Sequence, residues 1–195
     1  LLRNEDEFDW EGTIRSPLVK QRVYPTTERG SLRSWIGVGG SPESVVRAAR
    51  HGIPLCLAII GGEPSRFTPF VDLYHRALTQ FEQPRLPISV HSPGHIAETD
   101  EQAKEEVWPH YRELFGRIGR ERGWPPVTYE QFEFGISPQG SMYVGSPETV
   151  AEKIIRNSKL LQASRFDLKY SNGGMPHDQL MSSIELYAKE VAPIV

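Results

Sequence analysis

The stretch IGVGGSPESVVRAARHG, from Ile36 to Gly52, ends a short apolar run in two glycines and then opens a helix with Ser-Pro-Glu-Ser. A helix start can do anion chemistry. Its first N–H groups have no partner within the helix, and the aligned peptide dipoles leave partial positive charge there. Glycines ahead of the helix let a phosphate approach those amides closely, so Gly39, Gly40 and Ser41 are candidate phosphate ligands. A near repeat, VGSPETVAEKI, runs from Val144 to Ile154. Local physics explains both copies as helix starts. Ser41 and Ser146 are N-caps, Pro42 and Pro147 fit the first helical position, and Glu43 and Glu148 sit favourably in the dipole field. Anion binding is the sharper reading, and it fits Gly39-Gly40-Ser41 better than Gly145-Ser146.

Other chemistry-bearing residues are sparser. His91 and His95 are four apart, a spacing that suits paired metal ligands on a helix, but Pro93-Gly94 between them breaks any helix. Zinc needs three or four ligands and no further cluster appears, so no metal is expected. A polar ligand contact by His91, at a strand's end, is the better expectation. No Cys–His or Gly-x-Ser-x-Gly arrangement offers a nucleophile. No Walker sequence occurs, and Gly37-x-Gly39-Gly40 lacks the full dinucleotide spacing. Glu98, Asp100, Glu101, Glu105 and Glu106 read as the solvated face of a helix start.

These residues must be positioned by regular elements. Strands are predicted near residues 34–38, 55–60, 88–91 and 166–170. PLCLAII, continuously apolar, reads as a strand buried on both faces. Helices are predicted from Ser41 to Arg50, Phe67 to Phe81, Thr99 to Gly119, Ser146 to Leu161 and Asp178 to Val191, on apolar spacing and caps. Residues 1–34 read as a helix tail and a long connection, and the aromatic, Pro/Gly-rich stretch of about 123–141 as an excursion from a single 1–195 domain. Strand and helix in alternation give an α/β fold of parallel (β/α) units. Ligands of such sheets bind beyond the carboxyl ends of the strands. That selects Gly39 to Ser44, Gly61 to Pro64, His91 to His95 and Ser171 to Gly174.

The totals exclude several classes. With 195 residues, a net charge of -3 and 38% hydrophobic residues, the chain offers no electrostatic footprint for nucleic acid or an anionic membrane. No apolar stretch approaches the roughly 18 residues of a membrane span, and no signal peptide is visible. The single cysteine, Cys56, reads as a buried small hydrophobe, which favours a reducing cytoplasm. The chain opens LLRNEDEFDW without Met, so the numbering is expected to start inside a longer protein.

Three stretches together resemble the bacterial luciferase-like flavin-dependent monooxygenases: Trp35 to Leu55, Tyr143 to Ile154 and Arg165 to Val195. The resemblance implies a TIM-type (β/α)8 barrel, here its C-terminal half, strands five to eight, with the family's insertion between strands seven and eight. It implies reduced flavin, usually FMN, activating O2 on a small organic substrate; one branch uses the deazaflavin F420 for hydride transfer. In the family, the loop and helix start after strand five help hold the flavin phosphate. Carried over, this implies Gly40, Ser41 and Ser44 as cofactor ligands, with Gly39 permitting close approach, while the second copy is structural.

The leading expectation is therefore a flavin-dependent oxidoreductase or monooxygenase acting on paired donors with O2, fed by a flavin reductase or another supply of reduced flavin. The alternatives are a non-catalytic relic or partner subunit, and an F420-dependent enzyme. Half a barrel has open sheet edges, so a homo-oligomer or a missing N-terminal half is expected as partner.

Overall fold

A computed structural model describes residues 7–25 and 32–195, which fall in two compact units meeting at Ser34 and Trp35. In the first unit, β1 (Phe8–Trp10) pairs antiparallel with β2 (Leu18–Gln21), and Asp9 accepts the Lys20 N–H at 2.7 Å. The helix tail expected here is corrected to a strand ribbon over the described residues. Phe8 and Trp10 alternate with polar residues, which is strand spacing. Residues 1–6 and 26–31 of that expectation lie outside the described residues.

The second unit is a run of parallel βα units. Its elements are β3 (Ile36–Val38), α1 (Pro42–Arg50), β4 (Leu55–Ala58), α2 (Thr68–Gln80), β5 (Ile88–Ile96), α3 (Asp100–Arg122), α4 (Tyr129–Ile136), β6 (Tyr143–Gly145), α5 (Pro147–Leu160), β7 (Arg165–Lys169) and α6 (His177–Leu186). A π-helical turn, Tyr187–Val191, continues α6. The four predicted strands are all present and all parallel, in the order β3-β4-β5-β7. The predicted parallel α/β architecture therefore holds, and what it forms is an open sheet, a partial barrel.

One face of the sheet builds the main core. Val38, Leu55, Leu57, Ile88 and Val90 are buried against Val45, Ala48 and Ala49 of α1 and Val71, Tyr74 and Leu78 of α2. Each such large apolar side chain contributes about 1.5–3 kcal/mol by leaving water. The Tyr74 hydroxyl donates to the Ile53 carbonyl at 2.8 Å, and burial pushes its phenol up to about 12. The other face differs from the two-sided burial expected of PLCLAII. Cys56 and Ala58 alternate with the buried leucines and are only half-buried, since they lie on the face away from α1 and α2. Ile60, beyond the strand, is 69% exposed.

The third strand is longer than predicted. β5 pairs with β4 through His91 and with β7 through Pro93, then projects past both for three more residues. There Gly94, His95 and Ile96 pair with a strand the sequence did not reveal, β6. At Gly94 a Cβ would lie 2.4 Å from the Tyr143 carbonyl oxygen, so only glycine lets the two strands meet. Pro93-Gly94, which reads as a loop, is thus strand. The aromatic stretch before β6 contains α4, held by a capping box at Thr128 and Gln131, and buries Phe132 and Ile136 against Ala103 and Val107 of α3.

Candidate functional site

The parallel strands carry their carboxyl ends to one side, where Gly39 to Ser44 leads from β3 into α1. Ser41 is the N-cap: its hydroxyl oxygen accepts the Ser44 N–H at 3.2 Å. Gly40 has φ +139, and a Cβ there would find no atom within 4 Å. One at Gly39 would meet only the Ala58 carbonyl oxygen, at 3.9 Å. Both glycines are exposed, and Ser41 and Ser44 are half-buried. The loop is therefore open on the side from which an anion would approach.

Two side chains already attend to it. The Ser41 hydroxyl donates to Glu43 Oε2 at 2.9 Å. Glu43's carboxyl is held below its ordinary value, first by a backbone N–H of its own residue and then by that hydroxyl. Arg47, one turn on, donates from Nη2 to Ser44 Oγ at 3.1 Å. Sequence reading missed Arg47, although an arginine three residues after Ser44 must share its helix face.

The second copy of the motif shows what this geometry does when an anion is present. Gly145 has φ +156, and Ser146 caps α5 by accepting the Thr149 N–H at 3.3 Å. The Asp100 carboxylate fills the cradle. Its Oδ1 accepts the Ser146 N–H at 2.7 Å, and its Oδ2 accepts the Thr149 hydroxyl at 3.0 Å. A Cβ on Gly145 would lie 2.6 Å from that Oδ1, so glycine is what admits the oxygen. Ser146 and Thr149 correspond to Ser41 and Ser44. The open copy thus presents the same two donors, the cap N–H and the hydroxyl three residues on.

Asp100 and Glu106 correct the solvated-face expectation. Glu98, Glu101 and Glu105 are exposed, but Asp100 turns to α5. Glu106 Oε2 lies 2.6 Å from Nε2 of fully buried His95, and Gln102 donates to Glu106 Oε1 at 2.8 Å. Asp100, Ala103, Glu106 and Val107 share one stripe of α3 at helical spacing, a signal present in the sequence. His95 Nδ1 is buried without a hydrogen-bond partner.

His91 is not at a strand's end, as expected, but in mid-strand, because β5 runs on to Ile96. It is half-buried, in register with Ala58 and Asp167. It lies one residue from Val90, hence on the face opposite the helices. No hydrogen bond joins it to Gly39–Ser44 among the described residues. His95, on the projecting end, is separated from it by Ser92, Pro93 and Gly94 of the same strand. Among the described residues no group of three or more His, Cys, Asp or Glu could hold a metal ion.

Lys153 and Arg156 tie α5 to the α4–β6 connection. Lys153 Nζ donates to the carbonyls of Ile136 at 3.1 Å, Ser137 at 2.5 Å and Met142 at 2.6 Å, and Arg156 donates to the Pro138 carbonyl. Burial, reinforced by Arg156, pushes the Lys153 ammonium down to about 7. Three carbonyl acceptors oppose that shift, since only the charged form has three N–H donors to fill them.

A parallel βα sheet with its loops gathered at the carboxyl ends is the framework of a (β/α) barrel. The family model of luciferase-like monooxygenases matches residues 1–163, and the chain belongs to that family. Among solved structures it is similar to monooxygenase RslO1 from Streptomyces bottropensis, with a TM-score of 0.74 at 20% identity, covering 98% of this chain and 57% of that one. It is also similar to the oxygenating constituent of 3,6-diketocamphane monooxygenase from Pseudomonas putida, solved in complex with FMN, with a TM-score of 0.62 at 19% identity over 97% and 58% of the two chains. A third is an F420-dependent secondary alcohol dehydrogenase in complex with an F420–acetone adduct, with a TM-score of 0.63 at 16% identity over 100% and 58%. The chain spans a little over half the length of these structures. No curated protein matches it.

Proposed function

We propose that the chain contributes the phosphate-binding side of a flavin site in an oxidoreductase of the luciferase-like family, with FMN as the flavin and a small organic molecule as substrate. The observation that carries this reading is the internal one. The same Gly-Ser-Pro-Glu-Ser/Thr cradle holds a carboxylate at Asp100, and its first copy stands open at the carboxyl end of β3. The residues present fit a phosphate: the Ser41 N–H, the Ser44 hydroxyl and the first-turn dipole would hold it, with Gly40 admitting its oxygens. Arg47 stands within reach of Ser44 to add a cation. Bound reduced flavin would supply electrons to O2 or, as a deazaflavin, a hydride.

This chain's own residues position the cofactor. Glu43 draws on the Ser41 hydroxyl and on the N–H of its own residue, which leaves the Ser41 N–H and the Ser44 hydroxyl for an arriving dianion. A phosphate there would share its turn with the Glu43 carboxylate, and Arg47 would offset part of that repulsion. His91, on the sheet face away from the helices, is a polar group placed to contact a ring or substrate over that face.

A second reading, a partner or non-catalytic subunit that completes its site with another chain, is favoured by the sheet edges, since β3 and β7 each pair with one strand among the described residues. Association with a second copy, or with a segment supplying the remaining strands, is part of either reading.

The test is a flavin titration followed by quenching of flavin fluorescence. Ser44→Ala removes a hydrogen bond to a charged group, so FMN affinity should fall about tenfold at the low end of about 1.5–3 kcal/mol. Ser146→Ala should leave it unchanged. Equal affinities in the two variants would reduce the motif to a pair of helix caps, and the same series with F420 decides between the cofactors.

A further inference from the structure

A second cluster of cations lies apart from the α1 loop. Between α3 and the segment following β7 there is a cavity of 570 Å³ lined by His110, Glu113, Arg117, Arg120, Lys169 and the Ser171–Gly174 loop. Its volume falls among small-molecule sites, which run from about 300 to 1,000 Å³. Its charge is one-sided: two guanidinium groups and an ammonium face a single carboxylate, in a chain whose net charge is -3.

The wall is built rather than accidental. Asn172 is buried and its Nδ2 donates to the Gly94 carbonyl at 2.8 Å, which fixes the loop on β5. Gly173, at φ +95, lies so close to α3 that a Cβ would be 3.1 Å from the His110 carbonyl oxygen. Lys169 Nζ donates to the Ser171 carbonyl at 2.7 Å, which holds the ammonium at the rim. Arg117 and Arg120, on one stripe of α3, are exposed and make no hydrogen bond or ion pair with any described residue. Guanidinium groups left unpaired around a concave surface focus positive potential there and match the planar forks of oxyanions.

We infer that this cavity binds the oxyanion end of a small acidic ligand, a carboxylate or a phosphate ester, through Arg117, Arg120 and Lys169. It lies on the carboxyl-end side of β7, where ligands of parallel sheets are received. The site is separate from the α1 cradle and does not depend on flavin binding there.

Calorimetric titration of the full chain with citrate and with inorganic phosphate tests this. Every measurement uses the Ser44→Ala background, in which the α1 cradle is weakened about tenfold, and the Arg117, Arg120 and Gly174 variants separate the cavity from what binding remains there. Saturable binding is expected for at least one probe, citrate alone marking a carboxylate ligand and phosphate alone a phosphate ester. Arg117→Gln with Arg120→Gln should weaken it by about tenfold or more, since both charge-assisted pairs are lost. Gly174→Asp should do the same by placing a carboxylate in the opening. No atom lies within 4 Å of a Cβ there, so the fold accommodates the change. Arg76→Gln, an exposed cation on α2, should bind as the parent does. Three results would overturn the inference: no saturable binding of either probe, undiminished binding in the double variant, or an equal loss in Arg76→Gln. Because Ser44 is already replaced, none of these bears on the FMN reading, which the Ser44 titration decides by itself.

Discussion

The two helix starts, Gly40-Ser41-Pro42-Glu43-Ser44 and Gly145-Ser146-Pro147-Glu148-Thr149, share a sequence pattern and differ in what surrounds them. At the second, the α3 N-terminus delivers Asp100 into the cradle, and the anion is internal. At the first, no carboxylate from another element arrives among the described residues, and Glu43 of the same turn engages the cap hydroxyl. One pattern therefore serves as a structural clasp where the fold supplies a partner, and where it does not it leaves open the loop that we propose as an anion receptor. The motif defines donors; the neighbouring element decides who accepts.

The largest expected effect breaks the filled cradle. Asp100→Ala removes two charge-assisted hydrogen bonds and leaves a part-buried N–H without a partner, and should destabilise the chain by about 3 kcal/mol. Urea denaturation measures it, and a loss no greater than that of an ordinary surface substitution, about 0.5 kcal/mol, would show that Asp100 is incidental to α5.

Next comes pH, through Lys153 on the same helix. A base whose folded pKa is lowered from 10.5 to about 7 binds fewer protons folded than unfolded between those values. Its contribution to stability is therefore least below pH 7 and rises with pH through that window, by at most about 1.4 kcal/mol per unit. Urea midpoints taken on either side of pH 8 should climb in the wild type and flatten in Lys153→Met. A wild-type profile as flat as the variant's would mean that the Ile136, Ser137 and Met142 carbonyls keep the ammonium charged throughout.

The smallest effect compares the caps themselves. Ser146→Ala should cost about 1 kcal/mol, the ordinary loss of an N-cap, because the Asp100 clasp survives it. Ser41→Ala should cost a similar amount by thermal denaturation, and only Ser41→Ala should also weaken FMN. A clearly larger loss at Ser146 would mean that its hydroxyl and Asp100 act as one unit.

Much of this was legible in the residues. Four parallel strands, the long helices, both caps and the family could be read from apolar spacing, Ser-Pro starts and motif order, all of which are local patterns. The short strand β6 could not, because three residues carry too little periodicity, and it exists through pairing with the end of β5. The length of β5 was hidden for a related reason. Pro93-Gly94 has the chemistry of a turn, and only the close approach of Tyr143 makes that glycine a strand residue.

The sequence by itself determined the anion-binding potential of Gly39 to Ser44, because caps, dipole and glycine freedom are properties of consecutive residues. It also determined the polarity of α3's outer face at Glu101 and Glu105 and of Glu98 just ahead of it. Tertiary structure alone decided that Asp100 clasps α5, that Glu106 meets buried His95, and that Arg117 and Arg120 gather with Lys169 around one cavity. Those groups are separated by 46, 11 and about 50 residues in the chain. Their meeting depends on which strands pair and where helices cross, and no local propensity encodes that.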